Sequence, residues 1–311
     1  MSKVLICTAS FSEEHPELAL LKSYGIECQF NPYNRRLSSE ELSLLLTKKV
    51  VGIISGLEKI TGDMINKASA LKVISRCGIG SDNIDKEQAE KKRVEVFVTP
   101  DAPTQAVAEL TIALILSALR KINEQHQAMV SGNWSRKIGG LLSGKTVGII
   151  GFGRIGQRVA HFLSVFDVQI KYYDTKQVEK TSVEYVSDLD QLVSESDIIT
   201  LHLSMTDRSA HMINTARLRK MKKNVLLVNT ARGELINEVD LEQFLIENEQ
   251  SFAALDVFQE EPYQGKLRNL PNVLLTPHVG SFAKEARVQM EKEALQNLIQ
   301  GLKNAGVIHG R

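Results

Sequence analysis

Short apolar runs alternate with amphipathic stretches along most of the chain. Val4 to Thr8, Ile26 to Phe30, Val51 to Ser55, Val73 to Arg76 and Val94 to Val98 predict strands. Glu13 to Tyr24, Ser39 to Lys48, Thr61 to Ala70 and Lys86 to Lys92 predict the helices between them. Alternation at this spacing predicts parallel strands with helices on both faces. This first stretch has no nucleotide-type glycine turn.

Pro100 and Pro103 interrupt the pattern and place a domain crossover near residues 99 to 104. Thr104 to Val130 then predicts one long helix, and the glycine-bearing stretch Ser131 to Gly144 an irregular arm. A second alternating series follows, with strands at Val147 to Ile150, Val168 to Tyr173, Asp197 to Leu201, Val225 to Asn229, Ser251 to Leu255 and Val273 to Leu275. Its helices are expected from Arg154, over Asp188 to Ser194 with Ser187 as N-cap, over Ala216 to Met221 and over Asp240 to Glu247. The last helix, Ser281 to Lys303, carries Val288, Leu295, Leu298 and Leu302 at helical spacing. Periodicity alone leaves open which of the two series it covers.

The second series is organised around Thr146 to Gly156, T-V-G-I-I-G-F-G-R-I-G. Gly151-x-Gly153-x-x-Gly156 follows a predicted buried strand and leads into a helix, whose unpaired N–H groups and dipole suit a pyrophosphate. Gly151 permits the turn, Gly153 a close backbone approach to phosphate, and Gly156 helix-on-strand packing. Asp174 closes the next strand about 20 residues on, where a carboxylate can accept from the ribose hydroxyls of NAD and repel the extra phosphate of NADP. Lys176 nearby tempers that repulsion.

Composition narrows the partners. The chain has 311 residues, enough for two domains, and its 38 Lys and Arg nearly balance 37 Asp and Glu. A net charge of +1 gives no support to nucleic acid or an anionic membrane as partner. Cys7, Cys28 and Cys77 are odd in number and scattered, as in a reduced protein with buried thiols, and the histidines show no metal-ligand spacing. The apolar run after Met1-Ser2-Lys3 is too short for a signal peptide, and Leu110 to Leu119 falls short of the roughly 20 residues of a membrane helix. A cytoplasmic location, no metal and no membrane are therefore expected.

Three polar motifs follow predicted strands, where open parallel sheets place ligands. In Asn229-Thr230-Ala231-Arg232-Gly233-Glu234, Arg232 can hold a carboxylate with two N–H bonds, or form a salt bridge to Asp256. In Thr276-Pro277-His278-Val279-Gly280, His278 suits proton transfer near neutral pH, or a structural role bonded to backbone. In Asp256-Val257-Phe258-Gln259-Glu260-Glu261-Pro262, Glu261 can orient that imidazole, with Glu260 as competitor. His202, also at a strand end, suits the cofactor side or the core better than acid–base work. Earlier in the chain, Arg76-Cys77-Gly78-Ile79-Gly80-Ser81-Asp82-Asn83-Ile84-Asp85 offers glycine N–H groups to a carboxylate, or an elaborate turn.

These motifs, in this order, give a chain that resembles the D-isomer-specific 2-hydroxyacid dehydrogenases over essentially its whole length, and most of all phosphoglycerate dehydrogenases and their short relatives. The resemblance implies an α/β fold of two Rossmann-like parallel-sheet domains, the nucleotide-binding domain inserted into a flavodoxin-like substrate domain. Residues 1–99 and 282–311 would form the substrate domain, and 100–281 the NAD-binding domain with crossover helix and dimer arm. It implies Arg232 on the substrate carboxylate, Glu261 as partner of the histidine, and His278 as the acid–base residue. Arg154, Ile155, His202, Thr230 and Asp256 would join Gly151, Gly153, Gly156 and Asp174 on the cofactor, and Gly78 and Ile79 would meet the substrate. Asn133-Trp134-Ser135-Arg136 would belong to a homodimer arm.

The expected activity is NAD-dependent interconversion of D-3-phosphoglycerate and 3-phosphohydroxypyruvate, with a glyoxylate, hydroxypyruvate or other D-2-hydroxyacid reductase as the alternative. An NAD-sensing interaction protein is a further alternative. Ser55-Gly56-Leu57-Glu58-Lys59 lacks the arginine that phosphoglycerate dehydrogenases carry there, and Asp101-Ala102-Pro103-Thr104 also departs from their loop. Lys59, Arg76 and Arg136 are the cations left for a phosphate, and no appended regulatory domain is expected.

Overall fold

Strands of two to six residues, most of them buried on both faces, build each of two parallel sheets in the computed structural model, which describes residues 1–9 and 11–309. Unit 1 comprises Met1–Pro103 and Ala283–Arg311, and unit 2 Thr104–Phe282. Unit 1 is thus discontinuous in sequence.

Unit 1 runs β1 (Lys3–Ile6), α1 (Pro16–Ser23), β2 (Glu27–Phe30), α2 (Ser39–Leu45), β3 (Val50–Ser55), α3 (Gly62–Lys67), β4 (Val73–Arg76), α4 (Lys86–Lys91) and β5 (Glu95–Val98). Its sheet has the order β2-β1-β3-β4-β5, every pair parallel. Side chains fix the helix starts: Ser38 and Glu41 form a capping box on α2, Thr61 caps α3 and Asp85 caps α4. One face of the sheet packs Leu5, Ile53 and Ile74 against Leu42 and Ile65. The other packs Val4, Ile54 and Val73 against Leu295, Leu298 and Leu302 of the last helix, Lys284–Asn304. A Cβ on Gly52 would lie 2.7 Å from Leu298 Cδ1, so this strand glycine admits the helix. Val288, expected on the apolar stripe, is 57% exposed; at that end of the helix Ala286 and Met290 are the buried apolar positions instead.

α5 (Ala102–Leu119) begins at the unit boundary and α6 (Ile122–Val130) follows. One continuous helix over 104–130 does not form: Lys121 adopts φ 53°, left-handed backbone that stops the first helix and starts the second. α6 buries no residue, so no core rewards continuing the first axis. α5 is long and apolar enough, by length and composition alone, to cross a membrane. Here Ala108, Leu114, Ile115 and Ala118 sit in the core with Val147, Ile149 and Val228, as a core helix does.

Unit 2 continues with β6 (Thr146–Ile150), α7 (Arg154–Leu163), β7 (Gln169–Tyr173), β8 (Glu184–Tyr185), α8 (Leu189–Glu195), β9 (Ile198–Leu201), α9 (Thr215–Leu218), β10 (Leu226–Asn229), α10 (Glu238–Glu247), β11 (Phe252–Leu255) and β12 (Val273–Leu275). The sheet order is β12-β11-β10-β9-β6-β7-β8, all parallel, so the order reverses at β6 and leaves a crevice outside the ends of β6 and β9. α8 is capped by Asp188 rather than Ser187, its carboxylate accepting the Asp190 N–H at 2.9 Å. β8, two residues long, is too short to show a pattern in sequence. The three cysteines are free thiols.

Candidate active site

Three glycines shape the β6–α7 turn, each for a different reason. Gly151 has φ 93°, and a Cβ there would lie 2.7 Å from the backbone of His202. A Cβ on Gly156 would come within 2.2 Å of Gly151 O, so only glycine lets α7 lie on the strand. Gly153 faces open space and serves as the N-cap of α7 without a side chain of its own. A helix N-terminus with an uncrowded glycine at its cap fits a dinucleotide pyrophosphate. Arg154 is exposed at the first position of α7, and Ile155 packs half-buried against the core.

Asp174 reaches this turn from the end of β7. Its Oδ2 accepts the Phe152 N–H at 2.7 Å, and its Oδ1 the Thr175 N–H at 2.6 Å. The acid is therefore held at the lip of the crevice, where a ribose would meet it. His202, just past β9, places Nε2 2.8 Å from Thr200 Oγ1, while Nδ1 is buried without a hydrogen-bond partner among the described residues. Burial pushes this imidazole down to about 3, so it is neutral. A neutral ring with an unused nitrogen beside the glycine turn suits a cofactor contact and not acid–base work. Thr230 directs its hydroxyl to that of Thr111 on α5, 3.0 Å away, and Thr111 in turn donates to Val107 O.

On the far side of the sheet order, three loops meet. His278 follows β12 in the left-handed region, φ 54°. Its Nδ1 lies 2.9 Å from both carboxylate oxygens of Glu261. A carboxylate only accepts, so Nδ1 carries the proton that bonds it, and in the neutral ring Nε2 is the acceptor. Glu261 Oε1 also accepts the Phe258 N–H at 3.3 Å, and it is Glu261, not Glu260, that meets the ring.

Asp256, fully buried at the end of β11, holds the histidine turn from behind. It accepts from Thr276 Oγ1 at 2.6 Å and from the Val279 and Gly280 N–H groups at 2.8 Å each. Burial raises its carboxyl above the usual range, opposed by these hydrogen bonds and the nearby His278. Arg232 follows β10, where Asn229 clamps the turn: its Nδ2 donates to Arg232 O at 2.8 Å and its Oδ1 accepts the Ala231 N–H at 3.0 Å. Arg232 Nη1 donates to Ala231 O at 2.7 Å. A Cβ on Gly233 would lie 1.9 Å from Phe258 C, so the arginine loop is pressed against the loop that carries Glu261. Sequence reasoning missed this contact, although a glycine directly after the arginine was its signal. Arg136 is exposed in the arm and bonds to none of Arg232, Glu261 or His278.

In unit 1, Gly78 has φ 148° and gives its N–H to Thr99 Oγ1 at 2.7 Å, which commits that donor internally. Arg76 is buried, donates from Nη1 to Cys77 O at 2.7 Å, and lies where a Cβ of Gly78 would stand. Lys59 is exposed. No group of three His, Cys, Asp or Glu side chains among the described residues is placed to hold a metal ion.

A sequence model of the D-isomer specific 2-hydroxyacid dehydrogenase, NAD binding domain, matches residues 112–280. The chain is 39% identical over 276 residues to a hydroxypyruvate reductase of Thermotoga maritima, covering 86% of this chain and 90% of that one. It is 43% identical over 258 residues to a D-3-phosphoglycerate dehydrogenase of Methanocaldococcus jannaschii, covering 81% of this chain and 49% of that one. In three dimensions it is similar to the TT0316 protein of Thermus thermophilus, with a TM-score of 0.89, 31% identity and 97% of each chain covered. This chain belongs to the D-isomer-specific 2-hydroxyacid dehydrogenases. Unit 2 carries the family's NAD-binding domain, and NAD is the cofactor.

Proposed function

We propose that this chain interconverts a D-2-hydroxy acid and its 2-keto acid, and that its substrates are small unphosphorylated acids of the hydroxypyruvate and glyoxylate type. The observation that carries the reading is the His278–Glu261 pair, an oriented base at a strand end in the domain that binds NAD. In oxidation, Nε2 of neutral His278 takes the hydroxyl proton while Glu261, on Nδ1–H, stabilises the imidazolium. Arg232 pairs the carboxylate and polarises the adjoining carbonyl. NAD, when bound, supplies the acceptor for the hydride that leaves C2. Reduction reverses each step, His278 returning its proton to the keto oxygen.

Gly151, Gly153, Arg154, Ile155 and Gly156 are assigned to the pyrophosphate, Asp174 to the ribose, and His202, Thr230 and Asp256 to the nicotinamide side. Ile79, with the turn at Gly78, is assigned to the substrate carboxylate. Trp134 and Ile138, exposed in the arm, support a homodimer.

Phosphoglycerate oxidation is the second reading, favoured by the 43% identity to a D-3-phosphoglycerate dehydrogenase. Against it, Ser55 to Lys59 carries no arginine, and Arg76 is buried with Nη1 given to Cys77 O. Initial rates of NADH oxidation with glyoxylate, hydroxypyruvate and 3-phosphohydroxypyruvate test the assignment. A higher kcat/KM for the phosphorylated acid would replace it with the second reading.

A further inference from the structure

We propose that Gln259 is a positioning residue for Glu261: its backbone N–H and its side-chain amide clasp the loop after β11 to the segment between β10 and α10, and so fix where Glu261 meets His278. This rests on the reading of Glu261 as the partner of an acid–base His278, and every group involved lies in unit 2.

The loop leaves β11 with the Asp256 N–H still bonded to Asn229 O at 2.9 Å, in line with the ladder between β10 and β11. Beyond it the Phe258 N–H turns inward to Glu261 Oε1, 3.3 Å away. The next residue ties the loop outward. Gln259 N–H donates to Glu238 Oε1 at 2.8 Å, its Nε2 donates to Ile236 O at 2.8 Å, and the same nitrogen lies 2.9 Å from His211 Nε2. Ile236 O only accepts, so the amide nitrogen faces it, and the second amide hydrogen is left for His211, whose Nε2 accepts.

The groups that Gln259 meets are themselves fixed. Glu238 opens α10 directly after its cap Asn237, whose Oδ1 accepts the Val239 and Asp240 N–H groups. Ile236 forms a parallel bridge with Ile213, and the His211 N–H donates to Glu234 O at 2.8 Å. A Cβ on Gly233 would lie 1.9 Å from Phe258 C and 2.4 Å from Gln259 N, so the two backbones already touch and the bonds of Gln259 close the contact. Phe258 and Tyr263 stack with ring centroids 4.2 Å apart, which joins the two feet of the loop.

Glu238 stands at an unfavourable place for a carboxylate. Burial raises its carboxyl, the Gln259 N–H opposes the rise, and the charges of Glu234 and Glu261 add to it. What this acid provides is a charge-assisted bond to the backbone N–H just before the Glu260–Glu261 pair. Glu261 must keep both oxygens 2.9 Å from His278 Nδ1, and a loop shift of a fraction of an ångström breaks that geometry. Asn229 clamps the Arg232 turn by separate bonds, so the clasp of Gln259 bears on Glu261 and not on Arg232.

The test is steady-state reduction of glyoxylate and hydroxypyruvate with NADH, each enzyme at its own optimal pH, in the native chain, Gln259→Met, Glu238→Ala and Glu238→Gln. Gln259 is exposed, so Gln259→Met removes the side-chain donor without opening a cavity. It should lower kcat by about 5-fold or more, with KM for the keto acid and NADH affinity within about 2-fold of native. Glu238→Ala should lower kcat by a similar factor, and Glu238→Gln, whose amide oxygen still accepts the Gln259 N–H, should recover most of it. Gln259→Met made on top of Glu261→Gln should change kcat by less than about 2-fold, because the carboxylate it positions is already gone. A native enzyme that reduces neither acid overturns the functional reading and this proposal together. If the native enzyme is active, unaltered kcat in Gln259→Met, or an equal loss with and without the Glu261 carboxylate, overturns the role of Gln259 alone. So does a loss in Glu238→Gln as deep as in Glu238→Ala. A lowered Tm with native kcat makes the clasp a mere brace of the fold and likewise overturns it.

Discussion

Both carboxylate oxygens of Glu261 lie 2.9 Å from Nδ1 of His278, although the two residues belong to loops after different strands. The carboxylate fixes which ring nitrogen is protonated and so which one faces the substrate. Glu261→Gln keeps the shape, but its neutral amide no longer stabilises an imidazolium. It should lower kcat by about 10- to 100-fold with NADH affinity unchanged. A stopped-flow binding trace beside the steady-state rates checks both halves, and unaltered kcat removes Glu261 from the mechanism.

The glycines of the nucleotide turn should separate into two classes. Gly153 faces open space, so Gly153→Ala should fold with nearly native Tm and bind NADH about 10-fold or more weakly, its methyl standing where phosphate approaches. Gly156→Ala forces a methyl against Gly151 O and should cost about 1–3 kcal/mol of stability. Thermal melts with and without NADH read both effects, and a native-like NADH affinity in Gly153→Ala contradicts the pyrophosphate assignment.

Much of this was legible in the sequence, because buried parallel strands leave uninterrupted apolar runs and glycine turns leave glycines. The failures have physical causes. The break at Lys121 is invisible because apolar residues continue past it, yet α6 buries none of them. The burial of Glu58 is not legible, since a sequence does not tell a solvated carboxylate from a buried one. The residues alone left Glu260 beside Glu261; the family resemblance chose Glu261, and the loop puts Glu261 on the imidazole.

His202 makes stability depend on pH. Its folded-state value is pushed down to about 3 from an ordinary 6.5, so below pH 6.5 the unfolded chain takes up a proton that the folded chain refuses. Stability should therefore fall as pH drops from 6.5 toward 3, by up to about 1.4 kcal/mol per pH unit from this group. His202→Asn should flatten the slope between pH 6.5 and 5, above most carboxylate titrations. Urea midpoints across that window decide it, an unchanged slope showing that the ring protonates freely in the fold.

Asp174 accepts from Phe152 N–H and is assigned to the ribose. Asp174→Ser should lower kcat/KM for NADH and raise it for NADPH, shifting their ratio by about 10-fold or more. An unmoved ratio would leave the acid a purely structural clasp between β7 and the turn.

Arg232 presents a planar fork that lysine lacks. Arg232→Lys should raise KM for the keto acid by about 10- to 100-fold and lower kcat, with the melting curve unchanged. A variant that loses only stability would instead make Arg232 a structural residue.

The central claim is that His278 moves the proton. It is tested most directly by single-turnover reduction of glyoxylate in His278→Asn at saturating NADH. The account requires native-like NADH binding with hydride transfer slowed by about 100-fold or more. Transfer at the native rate would contradict it.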